Sequence, residues 1–225
     1  MQRIPEPEEL MDDPAQATAY AEADFGEPNR LFVELLEEQA AHSLSGEALD
    51  LGCGPADISL DLLRRHPALH ITAVDGAEAM LAHARQRLAR EPELAPRLTL
   101  RCAILPDADL PAAAFDLVLS NSLLHHLGDP AVLWRTLAHA ARPGAQVLVM
   151  DLARPASPAA AEALVQTHAA DAPPILRRDF YNSLLAAYTV EEIEKQLAAS
   201  GLAGLSVTMV SDRHLAVRGR IPGEA

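Results

Sequence analysis

The sequence predicts a doubly wound α/β protein, a mostly parallel sheet with helices on both faces. Three observations carry that prediction. Between residues 47 and 151, short apolar runs alternate with helix-patterned segments. The runs are nearly continuous in Leu, Val and Ala, as strands covered on both faces must be. A glycine turn, GCGP, follows the first run directly and opens the next helix. At 225 residues, 49% of them hydrophobic, the chain suits one domain with added segments and buries a full core.

The elements follow in order. The first fourteen residues are acidic and proline-containing and read as an irregular arm. Residues 15–24 are Ala-rich and form a short helix. Residues 28–41 set Leu31, Leu35 and Leu36 on one face and glutamates on the others, an amphipathic helix. Residues 47–51 (EALDL) are the first strand and residues 56–65 a helix stopped by Pro67. Residues 69–74 are a strand ending at Asp75, residues 77–90 a helix, residues 98–103 a third strand and residues 115–120 a fourth. Pro130 suits the first turn of a helix over 130–141, and residues 145–151 are a fifth strand. Four prolines interrupt residues 152–188, which are helical between them. Thr189 with Glu192 is a capping box for a helix to Ala199, and Gly201 suits its C-terminal cap. Residues 205–210 and 213–218 form an antiparallel hairpin about Ser211 and Asp212 that closes a sheet edge.

Charge narrows the partners. Lys and Arg number 18 against 32 Asp and Glu, a net charge of −14. Such a chain repels phosphate backbones, and no dense Lys/Arg run offsets this, so nucleic acid is not an expected partner. Cys53 and Cys102 lie far apart, without disulfide or zinc spacing, and no metal is expected. No apolar stretch has the ~18 residues a membrane span needs, and the opening residues lack the pattern of a secretory signal. A cytoplasmic protein, monomeric or a homodimer, is the expectation.

The glycine turn is the first chemical signal. Gly52 and Gly54 stand between a strand and a helix N-terminus, where small residues let a ligand approach the backbone and free N–H groups. Asp75 ends the next strand about twenty residues on, where a carboxylate accepts hydrogen bonds from both hydroxyls of a ribose. A dinucleotide site would favour glycine at position 57. Asp57 stands there and would repel a pyrophosphate but could face an amino or sulfonium group. The pattern therefore favours a cationic nucleoside cofactor over NAD. A nicotinamide-dependent oxidoreductase and a non-catalytic cofactor-binding regulator stay open as alternatives.

The segments LDLGCG, TAVDGAEAML, FDLVLSNSLLHHLGDP and ARPGAQVLVMDLARP resemble successive motifs of the class I S-adenosylmethionine-dependent methyltransferases, with a Rossmann-like fold. The resemblance covers residues 47–153 and elsewhere only the general layout. It implies a seven-stranded sheet with an antiparallel last strand, S-adenosylmethionine as cofactor, and methyl transfer to a small-molecule N, O or S nucleophile. It implies that Asp50, Gly52 and Gly54 surround the methionine part of the cofactor. Asp75, with Gly76 beside it, would hold the ribose, Met80 would pack near the adenine, and Ala103 and Ile104 would be backbone-level neighbours. Ala56 stands where the family often has a third small residue. The Asp that often follows the family's third strand has no assigned counterpart in RCAILPDAD.

The acceptor side is more open. Asn121, at the end of the fourth strand, is a candidate for touching the cofactor or orienting the acceptor, or else caps the element that follows. His125 and His126 are candidate general bases or plain helix residues. As neighbours on a helix they would point about 100° apart, too far to act as facing ligands. Arg177, Arg178 and Tyr181 concentrate in the proline-bounded insertion. The arginines suit a carboxylate or phosphate, and Tyr181 suits the binding or deprotonation of a nucleophile. Alternatively, the segment is a solvated surface helix. Tyr20 and Phe25 mark a second segment that folds over the cofactor. The expected layout is one domain over 1–225: an N-terminal helical lid (1–44), a cofactor-binding core (45–153), a substrate lid (154–188), and a last helix with its hairpin (189–225).

Overall fold

A seven-stranded sheet of order β3-β2-β1-β4-β5-β7-β6 organises the computed structural model, which describes residues 1–6, 10–40, 43–107 and 109–223. Its strands are β1 (Gly46–Leu51), β2 (Leu69–Asp75), β3 (Leu98–Cys102), β4 (Phe115–Asn121), β5 (Ala141–Leu152), β6 (Ser206–Met209) and β7 (His214–Arg220). The first five run parallel, whereas β7 is antiparallel to both β5 and β6. The predicted fold class is the one observed.

The helices are α1 (Pro14–Glu22), α2 (Gly26–Gln39), α3 (Asp57–Arg65), α4 (Glu78–Leu88), α5 (Ala131–Ala140), α6 (Pro158–His168), α7 (Pro174–Ala186) and α8 (Val190–Ala199). Strand alternation splits the core into two layers. Leu49 and Leu51 of β1 face α5 and α8, where Trp134, Leu137 and Ile193 are fully buried. Ala48 of the same strand faces α2 and α3, with Phe32, Leu36 and Leu63. The indole Nε1 of Trp134 donates to Gln196 Oε1 at 2.9 Å, so the one buried tryptophan has a polar partner. Two smaller apolar clusters attach the added segments. Ala17 of α1 packs on Ala77 and Met80, and Leu184 and Leu185 of α7 pack on Ala161 and Val165 of α6.

Several boundaries differ from the sequence reading. The α2 helix begins at Gly26, and its expected end at Ala41 lies outside the described residues. The α5 helix stops at Ala140 because Ala141 already pairs with Phe115, and Gly144, at φ +81°, allows the irregular start of β5. The C-terminal hairpin has a four-residue loop, Val210 to Arg213, rather than a two-residue turn, because Ser211 Oγ accepts from the backbone N–H groups of both Arg213 and His214. The Thr189 capping box forms as expected, with both reciprocal bonds present. Strand order reverses between β1 and β4. This is the switch point at whose carboxyl edge ligands of such sheets sit.

Candidate active site

The turn after β1 is wound tightly and tied to its acidic partner. Gly52 (φ +75°) and Gly54 (φ +52°) both take the left-handed conformation that glycine tolerates. They serve different needs. A Cβ on Gly52 would meet Leu123 at 2.9 Å, so this glycine makes room for the loop after β4. A Cβ on Gly54 would meet nothing within 4 Å, so the space beside it is open. The N–H of Gly54 donates to Asp75 Oδ2 at 2.7 Å, and that of Ala77 to Oδ1 at 2.8 Å. Ala56 takes a left-handed conformation without glycine's freedom (φ 63°) at the N-cap of α3.

Negative charge accumulates here. Asp50 is buried and accepts from Ser59 Oγ at 2.6 Å. Burial, with Asp75 nearby, pushes its carboxyl up to about 6. Burial and the charges of Asp57, Asp75 and Asp151 push the Tyr20 hydroxyl up to about 12. Burial is likewise the main reason why the Cys53 thiol and the Asp75 carboxyl lie above their usual ranges. Asp57 departs from the expected role. It pairs with Arg87 Nη1 at 2.6 Å, so its charge is met by the protein.

Around the turn, Met80 is buried with Tyr20 packed beside it, and Tyr20 lies 4.5 Å from Phe25 between ring centroids. Gly76 sits under Leu10, whose Cδ2 would be 2.7 Å from an added Cβ, with Ile104 Cγ1 at 3.5 Å. Ala103 lies just past β3, and its N–H donates to the Asp75 carbonyl at 3.0 Å. Ile104 is 68% exposed. Asn121 ends β4, and its Oδ1 is buried with no hydrogen-bond partner among the described residues. The capping alternative is not observed, because the turn that follows starts at Leu123 without a side-chain cap.

The histidines correct the sequence reading. Residues Leu124–His126 form a 3₁₀ turn rather than an α-helix, and the two rings lie 4.1 Å apart, tilted by 36°. They do not diverge. His125 is 3% exposed and donates from Nδ1 to Asp151 Oδ1 at 2.5 Å. Burial alone would lower its pKa, but the Asp151 charge overrides this and holds it above the usual value. Asp151 is correspondingly held low despite its burial. His126 Nδ1 contacts Glu6 Oε2, and Glu6 Oε1 accepts from Ser183 Oγ at 2.5 Å.

Glu6 was not legible in the sequence, nor was Arg3. Arg3 donates from Nε to the Ala186 carbonyl (2.6 Å) and from Nη2 to those of His125 (2.9 Å) and Leu127 (3.1 Å), with its guanidinium 4.3 Å from the Tyr188 ring centre. The arm expected to be irregular is stitched here to the histidine turn and to α7. No local pattern marks either residue. Asp151 does carry a sequence signal, since it stands near the end of a buried strand as Asp75 does.

The insertion residues gather elsewhere. Arg177, Arg178 and Tyr181 line a groove of about 340 Å³ between α6 and α7, with Glu162 and Val165. None of the turn residues borders it. Arg178 also pairs with Asp179 at 2.9 Å and, with Glu6, Met11 and Asn182, borders a second groove of about 250 Å³ between the arm and α7. Among the described residues no helix is long and apolar enough to cross a membrane.

With this geometry in place, residues 49–147 match a family described as a methyltransferase domain. An uncharacterised methyltransferase of Mycobacterium tuberculosis is 36% identical over 107 residues, 48% of this chain and 51% of that protein. A trans-aconitate 2-methyltransferase of Azoarcus is 36% identical over 106 residues, 47% of this chain and 38% of that one. The chain spans about half the length, or less, of these curated relatives. A solved structure described as a putative S-adenosylmethionine-dependent methyltransferase of Methanococcus maripaludis superposes with a TM-score of 0.72 at 16% identity, over 99% of each chain.

Proposed function

We propose, from the match of residues 49–147 to a methyltransferase domain and the shared fold, that this chain is a class I S-adenosylmethionine-dependent methyltransferase and that it methylates a small molecule bearing an oxygen, nitrogen or sulfur nucleophile. The observation that carries the reading is the acidic cluster at the glycine turn, where the Gly54 N–H is bound to Asp75 Oδ2 at 2.7 Å, Asp50 is buried beside the turn, and burial raises both carboxyls. Such a pocket favours a ligand that brings positive charge. The chain's residues fit S-adenosylmethionine on this count and on two others. Asn121 Oδ1 lacks a partner among the described residues, and the space beside Gly54 is open.

When bound, this cofactor supplies an electrophilic methyl group on a sulfonium. Asp75 keeps a lone pair on each carboxylate oxygen for ribose hydroxyls, while Gly54 and Ala77 fix its orientation. Asn121 Oδ1 accepts from a ligand donor at the end of β4. Met80, Tyr20 and Leu10 exclude water from the purine side. Holding the acceptor in line is worth about 7–11 kcal/mol of barrier when the geometry is good. The Asp151–His125 and Glu6–His126 pairs orient the acceptor and assist the loss of its proton. Tyr181, Arg177 and Arg178 bind an acceptor that reaches the grooves beside α7. The trans-aconitate relative and the acidic net charge both favour a small acceptor over a nucleic acid.

Incubation with a methyl-labelled donor and a panel of carboxylates, phenols, amines and thiols tests this. The expected outcome is label transfer to one acceptor class, with tight binding of the demethylated product. Binding of the donor with no transfer to any class would instead favour a cofactor-binding regulator, and tight NAD binding without donor binding would overturn the reading.

A further inference from the structure

Glu6, His125 and His126 each bring one donor atom to within 4.8 Å of the other two. We propose that these three residues bind a divalent transition-metal cation of the zinc type, beside the cofactor site. The spacing of the histidine pair in the sequence carries no metal motif, because the third ligand comes from the start of the chain.

Three features of the cluster support this. The first is charge. The side chains of Glu6 and Asp151 are 9% and 2% exposed, packed against two imidazoles. Both carboxylates are thus screened from water where they face the cluster, so a divalent cation held there would lie beside two acids at close range. The second is that two of the three ligands are each anchored by one atom and present another to the cluster. His125 is fixed through Nδ1 by Asp151, which leaves Nε2, the carboxylate–histidine arrangement found behind metal ligands. Glu6 is fixed through Oε1 by Ser183, which leaves Oε2. That oxygen meets His126 Nδ1, and the metal would replace the proton the two share. The third is the donor set. Two imidazoles and one carboxylate suit Zn²⁺ and its neighbours rather than Mg²⁺ or Ca²⁺. Three protein ligands also leave a coordination position open.

An acceptor oxygen or nitrogen in that position would lose its proton more readily, because the cation stabilises the deprotonated form. This role rests on the proposed methyl transfer, but the binding does not, so its test is separate. The full-length, chelator-treated protein is titrated with Co²⁺, Zn²⁺ and Mg²⁺. One equivalent of Co²⁺ should bind in the micromolar range or tighter, with the visible absorption of a low-coordinate site, and Zn²⁺ should displace it while Mg²⁺ does not. Lowering the pH from about 7.5 to about 5.5 should weaken binding as the imidazoles protonate. Glu6→Ala and His126→Ala should each weaken Co²⁺ binding roughly tenfold or more. His70→Ala, at an exposed position on β2, should leave it unchanged. In the unaltered protein, ring-nitrogen resonances of both His125 and His126 should shift on adding Zn²⁺, a readout that needs no variant to fold. Millimolar Co²⁺ binding, equal affinity in the Glu6 and His126 variants, or unshifted His125 and His126 resonances would overturn the proposal and leave Glu6–His126 a plain ion pair. Any of these outcomes leaves the methyl-transfer reading standing.

Discussion

The glycine turn is joined to Asp75, one strand away, by the Gly54 N–H at 2.7 Å, and the Ala77 N–H fixes the same carboxylate from its own loop at 2.8 Å. The histidine turn is instead held by Asp151 from the end of β5 and by Arg3 and Glu6 from the start of the chain, which Ala186 and Ser183 of α7 bind in turn. The first arrangement needs only β1 and β2 to pair in register. The second needs segments from both ends of the sequence docked at once. Local hydrogen bonding makes the cofactor side rigid and tolerant of change elsewhere. Convergent long-range bonding makes the acceptor side sensitive to substitutions far from it. Changes on the two sides should therefore differ in what they damage.

The largest effect is expected at Asp151→Asn. Breaking a buried ion pair costs about 3–5 kcal/mol, and both partners here are buried. The pH profile should change with it. Asp151 is held below its unfolded pKa, so its contribution is present above about 4 and is lost as pH falls through the folded value. His125 is held above its unfolded pKa, so its contribution is full below about 6.5 and is lost as pH rises through the folded value. The pair thus stabilises most between about pH 4 and 6.5. Denaturant unfolding of both proteins across that range should show the widest gap inside it. A gap independent of pH would assign the loss to packing alone.

Arg3→Ala follows in size. It leaves three carbonyls without their charged donor, and hydrogen bonds to charged groups are worth about 1.5–3 kcal/mol each, not additively. A net loss of about 2–3 kcal/mol is expected, with turnover falling more than cofactor affinity. Calorimetric titration beside a rate assay separates the two. Equal losses in both would mean that the arm supports the whole carboxyl edge rather than the acceptor side.

Asp75→Ala should do the reverse. Cofactor affinity should fall by about 1.5–3 kcal/mol while the fold persists, since Asp75 ends a strand and keeps part of its surface exposed. A folded variant with unchanged affinity would place the ribose elsewhere.

The smallest effect, and a stabilising one, is expected at Ala56→Gly. The left-handed conformation costs an L-residue about 1–2 kcal/mol. Glycine removes that cost but loses about 0.4–1 kcal/mol through greater unfolded-chain entropy. A net gain of up to about 1 kcal/mol in chemical denaturation should result. A loss would mean that the buried methyl group of Ala56 outweighs its strain.

Sequence periodicity fell short where tertiary pairing overrode it. Ala141 reads as the last residue of the helix over 130–141, but it already pairs with Phe115 in the sheet. His125 and His126 read as α-helical, but their turn is 3₁₀ and brings the rings together. Asp57 reads as a free carboxylate at a helix start, but Arg87, on the next helix, reaches it.

What the sequence by itself determined was the alternation of buried strands and helices, the glycine turn with its acid, and the capping box of α8. All of these depend on residues within one or two elements of each other, where spacing alone sets geometry. Only the tertiary structure decided that Arg3 and Glu6 cross to the histidine turn, that Asp151 backs His125, and that Arg177 and Tyr181 line a groove away from the turn. These pairings depend on how the arm and α7 pack over the carboxyl edge, and no local period or spacing encodes a contact between the first residues of a chain and its middle.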